Sequence, residues 1–315
     1  MKKTLIPISL ALLLLLTGCG KELETKTIYI AEQFGTAYAP VALMREAGIL
    51  EEVLPEGTEI RWSQLGNTAA IREAMLAGEA DIGFMAIPPF IIGRAAGMQW
   101  HICSGISDVP MGLVSSNPEI ASLPDIGSAR IALPQPGSIQ HILLAMAAEK
   151  QLGQYDIFDN QLVTMAHPDG MTALLSGSEI ALHFTTSPYL GQELSEGLTL
   201  VLTGEEAMGE PFTGIVAVAL DAFMEEYPEL YEIFLAALHE AIDRLQVDPA
   251  AAAKILAPVY GMTEEALLRE LTGEGAAFLR EVRGTQAFAD FLFKAGYVKT
   301  AYLASSLLAS EALVK

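Results

Sequence analysis

"AMLAGEADIGF", residues 74–84, contains the end of a helix, a glycine and the beginning of a strand in one short run. Apolar residues recur at helical intervals over 69–77, Gly78 interrupts them, and Asp81-Ile-Gly-Phe84 continues as a short apolar segment suited to a buried strand. A second stretch has the same shape: Ala173-Leu-Leu-Ser-Gly177 precedes a run that ends in His183 and Phe184. Outward from the first stretch, Thr27-Ile-Tyr-Ile30 and Glu59-Ile-Arg-Trp62 read as strands with a helix over 41–47 between them. Short β-rich runs alternating with longer helical ones predict an α/β chain with largely parallel sheets covered by helices. In such sheets ligands gather beyond the carboxyl ends of the strands, so the strand-to-helix loops are the place to look for a site.

Those loops fall into two parallel sets. In the first, Phe34-Gly35-Thr36 opens a helix, Gly66-Asn67-Thr68 opens the next, and the strand after Gly78 ends in Met85-Ala86-Ile87-Pro88-Pro89-Phe90. In the second, Pro136-Gly137-Ser138 opens a helix, His167-Pro168-Asp169-Gly170 opens the next, and the strand after Gly177 ends in Phe184-Thr185-Thr186-Ser187-Pro188-Tyr189. Gly35 to Asn67 and Gly137 to Asp169 are both steps of 32 positions. Two similar lobes, each presenting three loops, would form a cleft if they faced each other. The apolar runs Met111-Gly-Leu-Val-Ser115 and 211–219 read as strands crossing between lobes, with Gly112 and Gly214 as bends. Lobe one is then 27–112 plus 213–315 and lobe two 113–212. After Asp221 the pattern is helical to the end, and His239 with its Leu and Phe neighbours reads as packing and surface.

The N-terminus has a different purpose. Lys2 and Lys3 precede an apolar run that ends in Leu16-Thr17-Gly18-Cys19, which makes 1–18 an export signal. The run is shorter than the roughly 20 residues of a membrane-spanning helix. Its last four residues look like a bacterial lipobox, so Cys19 is expected to be lipidated, with 19–26 as lipidated cysteine and tether. With Cys19 lipidated, the sequence holds no second cysteine to form a disulfide with Cys103, and its apolar surroundings suit an inert buried thiol. The formal net charge is −21, and losing Lys2 and Lys3 with the signal takes it to −23. Nucleic acid is excluded as a partner by that balance. Anionic small molecules are not, since fields are screened beyond about 8 Å and local donors decide.

What the loops offer is donors. Gly137 lets the backbone turn, Ser138 suits an N-cap, and the first amides of the following helix point back at the loop. Thr36, Asn67, Asp169 and Thr185 or Ser187 suit the same role elsewhere. Each helix start is worth roughly 0.3–1 kcal/mol to an anion, and up to about 2 kcal/mol when partly buried. Capping by itself needs no ligand. Gln140 and His141 lie in the first turn after the Ser138 cap, where a helix needs neither, and His167 and His183 fall on loops or strand ends of the same lobe. Tyr38, Phe90, Phe184 and Tyr189 add aromatic walls, completing a mostly apolar pocket with a few aimed polar groups. Three histidines without a close His-x-x-x-His pair do not predict a metal site. No nucleophile elbow, phosphate loop or dinucleotide fingerprint occurs, so neither catalysis nor a cofactor is predicted.

Together the lipobox signal, Gly35-Thr-Ala-Tyr-Ala-Pro40, the 74–84 stretch and Pro136-Gly-Ser138 resemble the substrate-binding proteins of ABC importers for nitrate, sulfonate, taurine and bicarbonate. The likeness extends over about 27–300. It implies an α/β fold of the type II periplasmic-binding-protein kind, two lobes joined by two crossing segments with a ligand cleft between them. It also implies a monomer, anchored outside the cytoplasm through its lipid, that captures a solute and passes it to an ABC permease and its ATPase. Nitrate-type relatives are expected to add a cationic side chain in the cleft, and none of the strand-to-helix loops in the two sets holds Lys or Arg. A small sulfonate-like organic anion is the expected solute, with a neutral heteroaromatic such as a pyrimidine as alternative. A same-fold lyase or synthase with a histidine base is the other class, but the cysteine-rich motif of the pyrimidine synthases is absent.

Overall fold

The computed structural model describes residues 26–177, 179–273, 275–310 and 312, so the signal, Cys19 and most of the tether lie outside the described residues. The first part of the chain runs β1 (Thr27–Glu32), α1 (Ala39–Glu46), β2 (Glu59–Gln64), α2 (Thr68–Leu76), β3 (Ile82–Met85), α3 (Ile87–Ala95) and β4 (Trp100–Ser107). The middle part runs β5 (Met111–Ser115), β6 (Arg130–Leu133), α4 (Ile139–Leu152), β7 (Leu162–Thr164), α5 (His167–Leu175), β8 (Ile180–Thr186), α6 (Tyr189–Ser195), β9 (Thr199–Thr203) and α7 (Gly204–Met208). The last part returns as β10 (Ile215–Leu220) and continues in α8 (Asp221–Glu226), α9 (Pro228–Val247), α10 (Pro249–Tyr260), α11 (Glu264–Thr272) and α12 (Thr285–Lys294).

Two five-stranded sheets result, ordered β2-β1-β3-β10-β4 and β7-β6-β8-β5-β9. The orders coincide when β1, β2, β3, β10 and β4 are matched to β6, β7, β8, β5 and β9. In each sheet the first three strands are parallel, and one strand from the far side of the crossover, β10 or β5, is antiparallel to its neighbours. The starts of β10 and β5 therefore lie beside the carboxyl ends of the others. Burial follows position in the sheet: all four residues of the inner strand β3 are buried, whereas the edge strand β2 shows only Ile60 and Trp62 half-covered between exposed neighbours. The helix–sheet interfaces are apolar, with Phe84, Phe90, Trp100 and Phe184 fully buried and Phe90 stacked on Trp100 at 5.6 Å. Phe90 and Phe184, expected as pocket walls, thus belong to the core.

The crossing segments are shorter than the strands that the sequence suggested. Met111 and Gly112 already pair with Thr186 and Thr185 of β8, so the passage from the first sheet to the second is Asp108, Val109 and Pro110. Gly112 is a ladder residue rather than a bend, and it has no room for more, because a Cβ there would stand 2.8 Å from Leu200. On the return, the Gly214 amide donates to the Ser107 carbonyl at 2.9 Å, which lays the two passages side by side. Both are tied to the 277–283 segment: Asp108 exchanges backbone hydrogen bonds with Ala277, and the Thr213 amide donates to the Arg283 carbonyl. The C-terminal helices also reach across, since Lys294 at the end of α12 pairs with Glu149 of α4 at 2.8 Å.

Candidate functional site

The loops after the parallel strands meet. One cavity is bounded by Gln33 and Phe34 after β1, Gly66 and Thr68 after β2, Ala86 and Pro89 after β3, residues 134–140 after β6 except Pro136 and Gly137, and His167 after β7. Thr186 at the end of β8 and Met111 and Ile215 at the starts of β5 and β10 close it, with Ala37 and Tyr38 alongside. Every wall is a strand end or helix start, and both sheets contribute. The room inside is about 30 Å³, space for only one or two water molecules. Outside it, Thr68, Ala69, Arg72, Pro89, Ile92, Gln135, Pro136 and Gly137 line a wider recess of about 240 Å³.

Two hydrogen bonds hold the corners together across the cavity. The Thr36 amide donates to the Ser187 carbonyl at 3.1 Å, and the Ala69 amide, in the first turn of α2, donates to Gln135 Oε1 at 2.7 Å. The first contact depends on Gly35: its φ of 121° is a backbone state that residues with a Cβ rarely adopt, and a Cβ would stand 3.1 Å from the Ser187 carbonyl. Behind it, the Tyr260 hydroxyl donates to the Gly35 carbonyl at 3.3 Å, so the C-terminal helices also brace the corner. Gln33 is oriented by donating to Thr68 Oγ1 at 3.1 Å and the Phe84 carbonyl at 3.3 Å. As the corners stand, the Thr36 and Ala69 amides are both engaged across the cavity and the room between them is too small for a solute of several heavy atoms.

Caps account for several of the expected residues. Asn67 caps α2 by accepting from the Ala70 amide, and Ser138 caps α4 by accepting from the His141 amide. Ser138 also lines the cavity and Asn67 does not. Asp169, Thr185 and Ser187 cap no helix among the described residues: α5 begins after Ala166 and α6 after Pro188. Asp169 is exposed. The Thr36 and Thr185 hydroxyls are buried without a hydrogen-bond partner and lie off the cavity wall. Met85 and Pro88 are buried without lining the cavity, and Pro136 and Gly137 face the outer recess.

The three histidines do not act together. His141 turns away from the cavity: its Nδ1 accepts from the Gly137 amide at 2.8 Å, and its Nε2 lies 3.0 Å from Asp159 and 3.4 Å from the Tyr297 hydroxyl. It fixes the loop and touches the C-terminal region. His167 does line the cavity, stacked on Tyr189 with ring centroids 5.9 Å apart. His183 stands behind it, fully buried, with Nε2 3.3 Å from His167 Nδ1 and Nδ1 2.6 Å from Glu193 Oε1. Burial holds His183 down at about 3 and His167 well below the ordinary imidazole value, with the neighbouring His183 adding to the latter. It pushes the Glu193 carboxyl up to about 8.

Ala37, Gly66, Pro89, Ile139 and Thr186 fall within the loops that the sequence marked, whereas Gln33, Met111, Pro134, Gln135 and Ile215 join the lining from outside them. Gln33 and Gln135 had a signal, each being a polar residue within two positions of the end of a largely buried strand. Met111 and Ile215 had none, because only the antiparallel crossover brings their strand starts to this end of the sheets.

Residues 21–259 match the NMT1-like family, about three quarters of the sequence. The chain belongs to the NMT1-like family. A relative in Bacillus subtilis (strain 168), described as an aliphatic sulfonates-binding protein, is 24% identical over 256 residues, covering 77% of this chain and 74% of its own. The alkanesulfonate-binding protein SsuA from Xanthomonas axonopodis pv. citri, solved bound to MOPS, superposes with a TM-score of 0.77 at 22% identity, over 91% of this chain and 99% of that one. The periplasmic aliphatic sulphonate binding protein SsuA from Escherichia coli superposes with a TM-score of 0.69 at 20% identity, over 92% and 94%. This member of the family therefore has the two-lobed fold of periplasmic binding proteins, and its cavity lies between the two sheets.

Proposed function

We propose that the chain is the extracytoplasmic solute-binding component of an ABC importer, which captures a small sulfonate-like organic anion between its lobes and delivers it to a membrane permease coupled to an ATPase. It performs no chemistry on the solute. The lobes are taken as 27–112 plus 213–315 and 113–212, except that Met111 and Gly112, which pair in the second sheet, go with the second lobe. The protein is a monomer held to the membrane by lipid on Cys19, and replacing Cys19 with Ala should release it from the membrane fraction.

One observation carries this reading: every wall of the cavity is a strand end or helix start drawn from both sheets. The proposed contacts are Gln33, Phe34, Tyr38 and Thr68 from one lobe and Ser138, Gln140 and His167 from the other. Gln135 Oε1 sits on the first-turn amide of α2, where an oxygen of an anionic guest would gain from the same donor and the helix dipole. Family membership and the named relatives support the same class.

A neutral heteroaromatic is the second reading, favoured by the lack of Lys or Arg among the cavity's lining residues. Thermal denaturation with ethanesulfonate and with cytosine separates the two. The bound protein should gain about 2.7 kcal/mol at a hundred times the dissociation constant, and mass spectrometry should recover the solute unchanged. Stabilisation by cytosine alone would replace the anion reading, and turnover of either compound would replace the transport reading with an enzymatic one.

A further inference from the structure

The wall that His167 presents to the cavity continues inward as a chain of polar side chains. Gln140 Nε2 stands 3.3 Å from His167 Nε2, His167 Nδ1 stands 3.3 Å from His183 Nε2, and His183 Nδ1 stands 2.6 Å from Glu193 Oε1. Gln140 and His167 reach the cavity, while His183 and Glu193 have no exposed surface. Gly170 in α5 makes room for this, because a Cβ there would stand 2.6 Å from His183 Nε2. Glu193 Oε2 is buried with no hydrogen-bond partner.

That unpaired oxygen indicates where the proton rests. A carboxylate would bury a negative oxygen without a donor, whereas a carboxylic acid leaves only a neutral carbonyl unpaired. With Glu193 protonated, it can donate to His183 Nδ1, His183 Nε2–H can donate to His167 Nδ1, and His167 Nε2–H can donate to Gln140 once the side-chain amide, whose Nε2 now faces the ring, is turned over. Burial, which raises the carboxyl and lowers both imidazoles, keeps all three groups neutral near pH 7.

We propose that this chain of groups supplies the positive charge that the cavity lining lacks, by passing one proton outward when an anion enters. The Glu193 O–H and His183 Nε2–H bonds break, His183 Nδ1–H and His167 Nδ1–H bonds form, and His167 keeps its Nε2–H. His167 becomes an imidazolium at the cavity wall, His183 remains neutral, and Glu193 becomes a carboxylate that accepts from His183 Nδ1–H. No proton is exchanged with solvent. An uncharged guest gives the proton no reason to move, so the device favours anions. It deepens the anion reading above and rests on it.

The other groups around the chain do not supply that charge. Beside His183, β5 and β6 present Val114 and Ala132. On α6, Tyr189 stacks on His167, and burial raises its phenol, which stays neutral. From α11, the Glu270 carboxyl lies against Gly191 and is hydrogen-bonded by Ser187. Asp169 is exposed in the first turn of α5. On α4, His141 is turned toward Asp159. Arg72 borders only the outer recess.

The test uses the wild type and Glu193→Gln, with ethanesulfonate as probe, calorimetry across pH and infrared spectroscopy of the protonated carboxyl. The wild type should bind with an affinity that is level up to about pH 8 and then falls by about tenfold per pH unit, as the carboxyl loses its proton to solvent. Below neutrality, buffers of different ionisation enthalpy should report no net proton uptake. The protonated-carboxyl band should be present without ligand and disappear on binding. E193Q should lack the band, bind at least about tenfold more weakly and show no break in its pH profile. If E193Q does not fold, the wild-type band decides alone. A band that ethanesulfonate leaves unchanged, or an E193Q affinity equal to wild type, overturns the proton transfer and leaves the solute-binding reading standing. Failure of the wild type to bind ethanesulfonate at any pH overturns the anion reading and the transfer with it.

Discussion

Gly83 and His183 occupy the same place in the two sheets. Gly83 lies on β3 between Ala31 of β1 and Val218 of β10, and His183 lies on β8 between Ala132 of β6 and Val114 of β5. What packs against them is exchanged as well. In the first sheet the helix supplies the side chain: a Cβ on Gly83 would stand 2.7 Å from Ile71 Cγ2 of α2. In the second sheet the strand supplies it, and Gly170 of α5 is the residue that stays bare against the imidazole. The gap between helix and sheet is filled once in each lobe, from opposite sides. One filling is an inert aliphatic group and the other is a ring that connects the cavity to a buried acid. The comparison teaches that one fold can hold a purely structural interface in one lobe and a titratable one in the other at the cost of a single exchange of bulk.

The largest effect expected from disturbing this comparison is on the aliphatic side. Ile71→Ala should cost about 2–5 kcal/mol in denaturant unfolding, since it empties a fully packed site, and should leave the pH dependence of stability unchanged. In the other lobe, Gly170→Ile forces a side chain onto His183 and should cost about 1–3 kcal/mol. Adding His183→Gly to it rebuilds the arrangement of the first lobe. The cycle should show a coupling of about 0.5–3 kcal/mol in favour of the double variant, and strict additivity would mean that the two residues do not share the space.

Stability against pH sharpens the comparison further. Glu193 titrates at about 8 in the folded chain against an ordinary 4.5, so the folded state holds more protons than the unfolded one between those values. Its contribution is present below about pH 4.5 and lost as pH rises through 8. His183, held at about 3 against 6.5, works in the opposite sense, losing stability as pH falls. Between pH 6.5 and 8 only the Glu193 slope remains of the two, worth about 2 kcal/mol. E193Q should flatten that limb in thermal denaturation across pH. The smallest effect is expected where the lobes touch. Gln135→Ala removes the bond to the Ala69 amide and should cost about 1 kcal/mol, while strengthening solute binding severalfold because one contact less must break on entry.

Much of the architecture was legible because strand ends announce themselves. The Gly78 and Gly177 stops, the caps at Asn67 and Ser138 and the loops at Phe34, Thr68, Ala86, Ser138, Gln140 and His167 follow from local chemistry, and these loops do border one cavity. What was illegible depended on side-chain direction or long-range pairing. His141 and Gln140 are neighbours on α4, but one turns toward Asp159 and the other toward the cavity, a difference of helical phase that residue type does not carry. Met111 and Ile215 enter through antiparallel strands contributed from the other side of the crossover. Nothing in the local sequence marks Glu193, and only the placement of α6 over β8 buries it against His183.

The central claim is that the corners of both lobes enclose a single guest, and a crystal structure of the protein grown with ethanesulfonate tests it most directly. The account predicts the sulfonate between Gln33 and Thr68 on one side and Ser138, Gln140 and His167 on the other, with Gln135 displaced from the Ala69 amide. A sulfonate bound to one lobe alone, or anywhere outside this junction, would contradict it.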